Sequence, residues 1–235
     1  LGGGGFMVIY LEDQDRTLTI DYREKAPALA HRDLFLDENG EYDRVKAQFS
    51  LLSAGVPGSV AGFHHALINY GTLSWEEVLQ PSIRLAEKGF LIPHDLENIL
   101  ASKRYKDRLS ADPAASKVFY KEDGSLYKAG EILIQSDLAS TLKKLSKFGP
   151  DAFYKGDIAK LIVLEMERNG GLITLEDLEN YNIVERPPLI GRYKDFEIVS
   201  MPPSSSGGTH LIQMLNMLEE FPIKEMGFGS SEGIH

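Results

Sequence analysis

The stretch that most constrains the fold is Leu1 to Pro27, LGGGGFMVIYLEDQDRTLTIDYREKAP. It holds two β-type runs, Phe6–Leu11 and Thr17–Tyr22, joined by the short polar tract Glu12-Asp13-Gln14-Asp15-Arg16. Both runs are rich in β-branched, aromatic and other apolar residues, so the pair reads as a hairpin, and both strands are expected to be central in a sheet. Four glycines precede the first strand. Lacking Cβ atoms, they let backbone pass close to another backbone or to a ligand. Arg23 follows directly on the second strand. A strand-end arginine is placed to offer its planar fork to a carboxylate. The ordinary alternative is an arginine in a surface ion pair.

Composition narrows the function classes. With 235 residues the chain can bury a sizeable core, as one large domain or as two. A net charge of −10, with no basic block interleaved with aromatics, argues against a nucleic-acid partner. Cysteine is absent, which removes disulfides, Cys-zinc sites and thiol nucleophiles together. No run reaches the roughly 18–20 apolar residues needed to span a bilayer. No basic n-region with an apolar h-region is present, so no signal peptide is visible. The chain opens without Met on a glycine run, and closes on GFGSSEGIH, where a Ser-initiated helix is just beginning. The expectation is a fragment: residues 1–235 as one incomplete domain.

After the hairpin, Asp37-Glu38-Asn39-Gly40 and Gly55-Val56-Pro57-Gly58-Ser59 are punctuation points. Ser59 is placed to cap a helix running to Tyr70, with Gly71 ending it. Ser74 and Glu77 make a capping box for a helix ending near Lys88-Gly89, in which Pro81 should cause a kink or a division. His94–Leu109 reads as one helix, and Asp123-Gly124 as a tight turn. Ser136 opens a helix with Leu138, Leu142, Leu145 and Phe148 as its stripe. Gly156–Arg168 follows, with Ile158, Leu161, Ile162 and Met166 buried. Thr174 with Asp177 begins the short helix Leu175–Tyr181. Asn182–Glu185 and Leu189–Ser200 read as strands, the second broken at Gly191 and Lys194-Asp195 into a plausible hairpin. The loop Pro202–Gly208 then feeds a helix with Leu211, Leu215 and Leu218 on one face. Strands at both ends around a long helical middle make the fold α+β.

The chemical signals are few. Ser204–Gly208 at a helix start offers free N–H groups for a carboxylate or phosphate, or is simple capping. It lacks both GK[ST] and GxGxxG, so nucleotide binding has little support. His31, His64, His65, His94, His210 and His235 form neither HxxxH nor HExxH, so no metal is expected. Thr209 lies inside a predicted helix, whereas a threonine nucleophile normally needs its own free α-amine as base. No GxSxG elbow is present. Glu176, Asp177 and Glu179 sit in first turns where the helix dipole favours negative charge.

GGGGFMVIY with TIDYREKAPALAHRDLFLDENG resembles the start of the large-subunit core of the γ-glutamyltransferases (γ-glutamyltranspeptidases). So do SAGVPGSVAGFHHALINYGTLSWEEVLQPSIRLAEKGF at 53–90, FGPDAFYKGDIAKLI at 148–162, NGGLITLEDLENY at 169–181 and VSMPPSSSGGTHLIQMLNMLE at 199–219. The blocks are colinear over almost the whole chain. The resemblance implies an N-terminal-nucleophile hydrolase with an αββα sandwich, made as one precursor that cleaves itself into large and small subunits. It implies no metal or organic cofactor, and a periplasmic or extracellular location, with a cytoplasmic one left open. The small subunit's N-terminal threonine attacks the γ-glutamyl amide of glutathione or a related donor, and the acyl group passes to water or to an amino acid or peptide. The family's large-subunit arginine binds the donor's α-carboxylate, and its motif falls on DYREKAP, so that role goes to Arg23. The nucleophile is expected downstream of His235, on the small subunit that is the implied partner. Residues 1–235 are then inactive alone. Two other readings stay open: a non-catalytic amino-acid or peptide-binding protein on the same scaffold, and a purely structural domain.

Overall fold

The opening stretch folds as the expected hairpin. Strand β1 (Phe6–Leu11) pairs antiparallel with β2 (Arg16–Asp21), setting Phe6 opposite Asp21 and Leu11 opposite Arg16. A 3₁₀ turn at Glu12–Gln14 and a left-handed Asp15 (φ 44°) close the hairpin. The computed structural model describes residues 2–235, which divide into two compact units: 2–66 with 160–235, and 67–159. The first unit continues through the short helix α1 (Arg44–Phe49), whose N-cap Asp43 accepts from the Val45 and Lys46 N–H groups. Helix α2 (Ser59–Tyr70) follows. Ser59 is its first helical residue rather than its cap, and its N–H donates to Gly3 O at 2.9 Å.

The second unit is helical. Helix α3 (Trp75–Lys88) begins at the Ser74/Glu77 capping box, contains Pro81 without being divided, and ends at Gly89 with φ 80°. Strand β3 (Phe90–Leu91) leads to α4 (His94–Ala101), α5 (Lys103–Ala111) and α6 (Pro113–Phe119), and β4 (Ile132–Leu133) pairs antiparallel with β3. The single helix expected over His94–Leu109 is therefore broken at Ser102, which adopts ψ 138°. Its hydroxyl donates to Ile99 O at 2.8 Å, the local bond by which serine competes with helix continuation. Helix α7 (Ser136–Phe148) packs along α3, and the Trp75 indole N–H donates to Leu145 O at 2.8 Å. Ile83, Ala86, Ala139, Leu142 and Leu145 fill this seam. Burying Leu145 completely contributes about 1.5–3 kcal/mol. Phe148, expected on the stripe, is 61% exposed because it is the last residue before Gly149 turns the chain away.

Helix α8 (Asp151–Tyr154) leads into α9 (Asp157–Asn169). There the buried positions are Ile158, Ala159 and Met166, while Leu161 is 61% exposed. The apolar face is centred on the small Ala159, and Leu161 lies two residues, roughly 200°, around the helix from it. The first unit resumes at Lys160, within α9, and continues with α10 (Leu175–Glu179), opened by the Thr174/Asp177 capping box. Strands β5 (Val184–Arg186), β6 (Leu189–Tyr193) and β7 (Phe196–Ser200) follow, then α11 (Gly207–Glu219) and the single turns α12 (Ile223–Met226) and α13 (Ser231–Ile234). β6 and β7 form the expected antiparallel hairpin, turned at Lys194 with φ 53°.

β2 carries the first unit's core. β5 pairs antiparallel with its far side, giving the order β1-β2-β5. Both strands of the opening hairpin were expected to be central; β2 is, and β1 lies at an edge among the described residues. Leu18, Thr19, Ile20 and Asp21 are all buried, so β2 is covered on both faces. Thr19 satisfies its hydroxyl on Arg186 O at 2.9 Å. The mixture of helices with small antiparallel sheets is α+β, as the sequence pattern predicts.

Candidate functional site

At the end of β2 the backbone is clamped by glycines. Tyr22 and Gly5 exchange main-chain hydrogen bonds at 3.0 and 3.3 Å, extending the ladder past Asp21. Gly3 O accepts from the N–H groups of Gly58 and Ser59, both at 2.9 Å. A Cβ at Gly4 would lie 2.5 Å from Tyr22 O and 2.6 Å from Glu24 N. One at Gly58 would lie 2.0 Å from both Tyr22 O and the Tyr181 hydroxyl. The glycine run and the Gly55–Ser59 segment thus share one purpose: close approach to the Tyr22–Arg23 peptide.

Arg23 is held at both ends of its main chain. Its N–H donates to Asp21 Oδ1 at 3.1 Å, and its carbonyl accepts from the Tyr181 hydroxyl at 2.8 Å. The side chain is exposed. Its Nη1 donates to Ser204 O at 3.2 Å, and Cζ lies 6.0 Å from the centre of the Phe6 ring. Among the described residues no acidic side chain forms an ion pair with Arg23. Four of its five N–H donors remain for another acceptor.

The Ser204–Gly208 loop, singled out from sequence, therefore meets Arg23 in space. Ser204 also donates its hydroxyl to Asp21 Oδ2 at 3.2 Å, and the same oxygen accepts from Arg186 Nε at 3.0 Å. Ser205 Oγ accepts from Gly207 N–H at 3.2 Å, and Ser206, at the N-cap position, makes no side-chain capping bond. Asp21, Tyr181 and Arg186 were not marked from sequence. The available signal was Asp21 itself, an acid set between Ile20 and Tyr22 at the end of a β-type run.

The remaining sequence candidates lie apart from Arg23's hydrogen bonds. Thr209 sits in the first turn of α11, half-buried. Asp177 caps α10 and also accepts from Ala28 N–H at 2.8 Å, so it fastens the segment after Pro27. Burial pushes its carboxyl upward, but the donors at Ala28 N, Thr174 N and Thr174 Oγ outweigh that and hold it below the ordinary aspartate range. His65 Nε2 contacts Glu185 Oε1 at 2.7 Å, and His94 lies 3.7 Å from Glu97.

The sequence model of the γ-glutamyltranspeptidase family matches residues 1–235. The chain belongs to that family. Like it is the glutathione hydrolase proenzyme of Escherichia coli (strain K12), 46% identical over 234 residues, a match covering 100% of this chain and 40% of that protein. The chain thus spans about 40% of the length of the curated relatives it matches. Among solved structures, the Helicobacter pylori γ-glutamyltranspeptidase superposes with a TM-score of 0.95 at 41% identity, covering 100% of this chain and 66% of that one. The Pseudomonas nitroreducens γ-glutamyltranspeptidase complexed with L-DON gives a TM-score of 0.87 at 33% identity, covering 100% and 68%. The α+β fold of this chain is thus that of solved γ-glutamyltranspeptidases.

Proposed function

We propose that this chain supplies the donor-carboxylate grip of a γ-glutamyltransferase, with Arg23 binding the α-carboxylate of a γ-glutamyl donor such as glutathione. The observation that carries the reading is the state of Arg23: anchored at its main chain, seated on Ser204 O, exposed, and without an acidic partner among the described residues. A γ-glutamyl donor keeps its α-carboxylate unchanged through acyl transfer, so the group is a positioning handle. A guanidinium grips such a handle with two parallel charge-assisted bonds.

The chemical step belongs to a threonine on a small subunit cut from the same precursor. The word proenzyme in the E. coli relative's name supports that processing. The threonine hydroxyl adds to the γ-amide carbonyl, the amide C–N bond breaks, and the amine leaves carrying the hydroxyl's proton. Water or an incoming amine then attacks the ester, takes the acyl group as the C–O bond to threonine breaks, and gives up one of its own protons to restore the threonine hydroxyl. Exposed apolar residues support a partner surface: Val8 and Tyr10 on β1 are 45% and 59% exposed, and Met214 and Met217 on α11 are 51% and 61% exposed. A periplasmic or extracellular setting goes with the reading. No helix of the described residues is long and apolar enough to cross a membrane.

The test is to purify the intact gene product, resolve its chains on a gel, and assay a γ-glutamyl anilide. Two chains and steady release of the aniline are expected. A single uncleaved chain that binds γ-glutamyl compounds without turning them over would contradict the reading and favour a binding protein on this scaffold.

A further inference from the structure

Asp21 is 8% exposed, and its carboxylate accepts three hydrogen bonds from three separate segments. Oδ1 takes the Arg23 N–H at 3.1 Å; Oδ2 takes Arg186 Nε–H at 3.0 Å and the Ser204 hydroxyl at 3.2 Å. Ser204 in turn offers its carbonyl to Arg23 Nη1 at 3.2 Å. These contacts close a ring: Asp21 to the Arg23 main chain, Arg23 guanidinium to Ser204 carbonyl, Ser204 hydroxyl back to Asp21. The ring fixes the arginine at its root and at its tip.

The ring has an electrostatic consequence. A buried carboxylate needs a cation nearby or it carries a large desolvation penalty. Here the cation is Arg186, 3.0 Å away, and not Arg23, whose side chain makes no ion pair with Asp21. Asp21 is thus neutralised from the β5 side, and the charge on Arg23 stays uncompensated and turned outward.

We infer that Asp21 is a positioning residue for the donor's α-carboxylate, acting through Arg23 and Ser204, with Arg186 as the counter-cation that keeps Arg23 free. The inference rests on the reading of Arg23 given above. It assigns no contact between Asp21 and substrate.

The experiment uses the intact, processed enzyme and two donors: a γ-glutamyl anilide, and the 4-aminobutyryl anilide that lacks only the α-carboxylate. Asn at position 21 keeps one oxygen for three donors and turns an N–H₂ toward them, so the ring opens while the side-chain volume is kept. Asp21→Asn is expected to raise KM for the γ-glutamyl anilide by roughly ten- to a hundredfold, the size a misplaced positioning group produces, with kcat largely kept. For the aminobutyryl donor, kcat/KM should stay at the parental value. Ser204→Ala, which removes the hydroxyl but keeps the carbonyl, should shift KM in the same donor-selective way by a smaller factor. It decides the matter if Asp21→Asn does not process. Equal losses on both donors, or no loss on either, would overturn the inference. Arg23→Ala is the reference: if it also loses equally on both donors, the reading of Arg23 fails. If Arg23→Ala is donor-selective and the Asp21 and Ser204 variants are not, only the positioning role fails.

Discussion

Gly58→Ala tests whether the glycine clamp holds Arg23. The added methyl would sit 2.0 Å from Tyr22 O and 2.0 Å from the Tyr181 hydroxyl, distances no Cβ occupies. The neighbours cannot give way cheaply, because one is main chain and the other is the donor to Arg23 O. Overpacking a tight site costs about 1–3 kcal/mol, and losing the Tyr181 bond adds about 1 kcal/mol, so the total is about 2–4 kcal/mol. In an intact enzyme about two and a half times the length of this chain, that lowers the thermal midpoint by about 2–3 °C. The assay is calorimetry of the processed enzyme at fixed scan rate, with Gly2→Ala as the control. A Cβ at Gly2 meets nothing within 4 Å, so that variant should melt within about 0.5 °C of the parent. The Gly58 variant should also show a raised KM for the γ-glutamyl donor, since the Arg23 peptide moves. A Gly58→Ala enzyme that melts and binds donor like Gly2→Ala would refute the reasoning.

Other substitutions separate structural from reacting groups. Thr209→Ala, at the first turn of α11, should leave self-cleavage and turnover within a few-fold of the parent; loss of both in a folded variant would make Thr209 a reacting group. Asp177 is held below the ordinary aspartate range, so its stabilisation is full above that range and fades as pH falls through its own lower value. The gap in thermal midpoint between parent and Asp177→Ala should therefore be constant from neutral pH to about 5 and close below about 4. A gap that persists at pH 2 would assign the effect to packing alone.

Local chemistry was legible in the sequence. The Ser74/Glu77 and Thr174/Asp177 boxes announce helix starts because cap and partner lie three residues apart, and the β1–β2 hairpin follows from two β-rich runs around a polar tract. Arg23 was marked by its motif, and the Ser204 loop by its serines and glycines. That these two meet was not legible, since Arg23 and Ser204 lie 181 residues apart in the chain. The same holds for the bond from Arg186 to Asp21, which spans 165 residues. Where helix faces were misjudged, the cause was side-chain size: Leu161 weighs more than Ala159 in an apolar pattern, yet the small residue faces the packed side. The break at Ser102 came from a hydroxyl bonding its own helix end, a choice that the surrounding polarity does not reveal.

The central claim is that the Arg23 fork holds the donor's α-carboxylate. Its most direct measurement is kcat/KM of Arg23→Ala and Arg23→Lys against the parent on a γ-glutamyl anilide, in enzyme whose two chains are confirmed on a gel. Self-cleavage uses no external carboxylate and should survive both changes. Arg23→Ala should lose about 2–5 kcal/mol of transition-state binding, about thirtyfold to several-thousandfold in kcat/KM, mostly through KM. Arg23→Lys keeps the charge without the planar fork and should fall between. A processed Arg23→Ala enzyme with near-parental kcat/KM would contradict the account and leave Arg23 a surface charge.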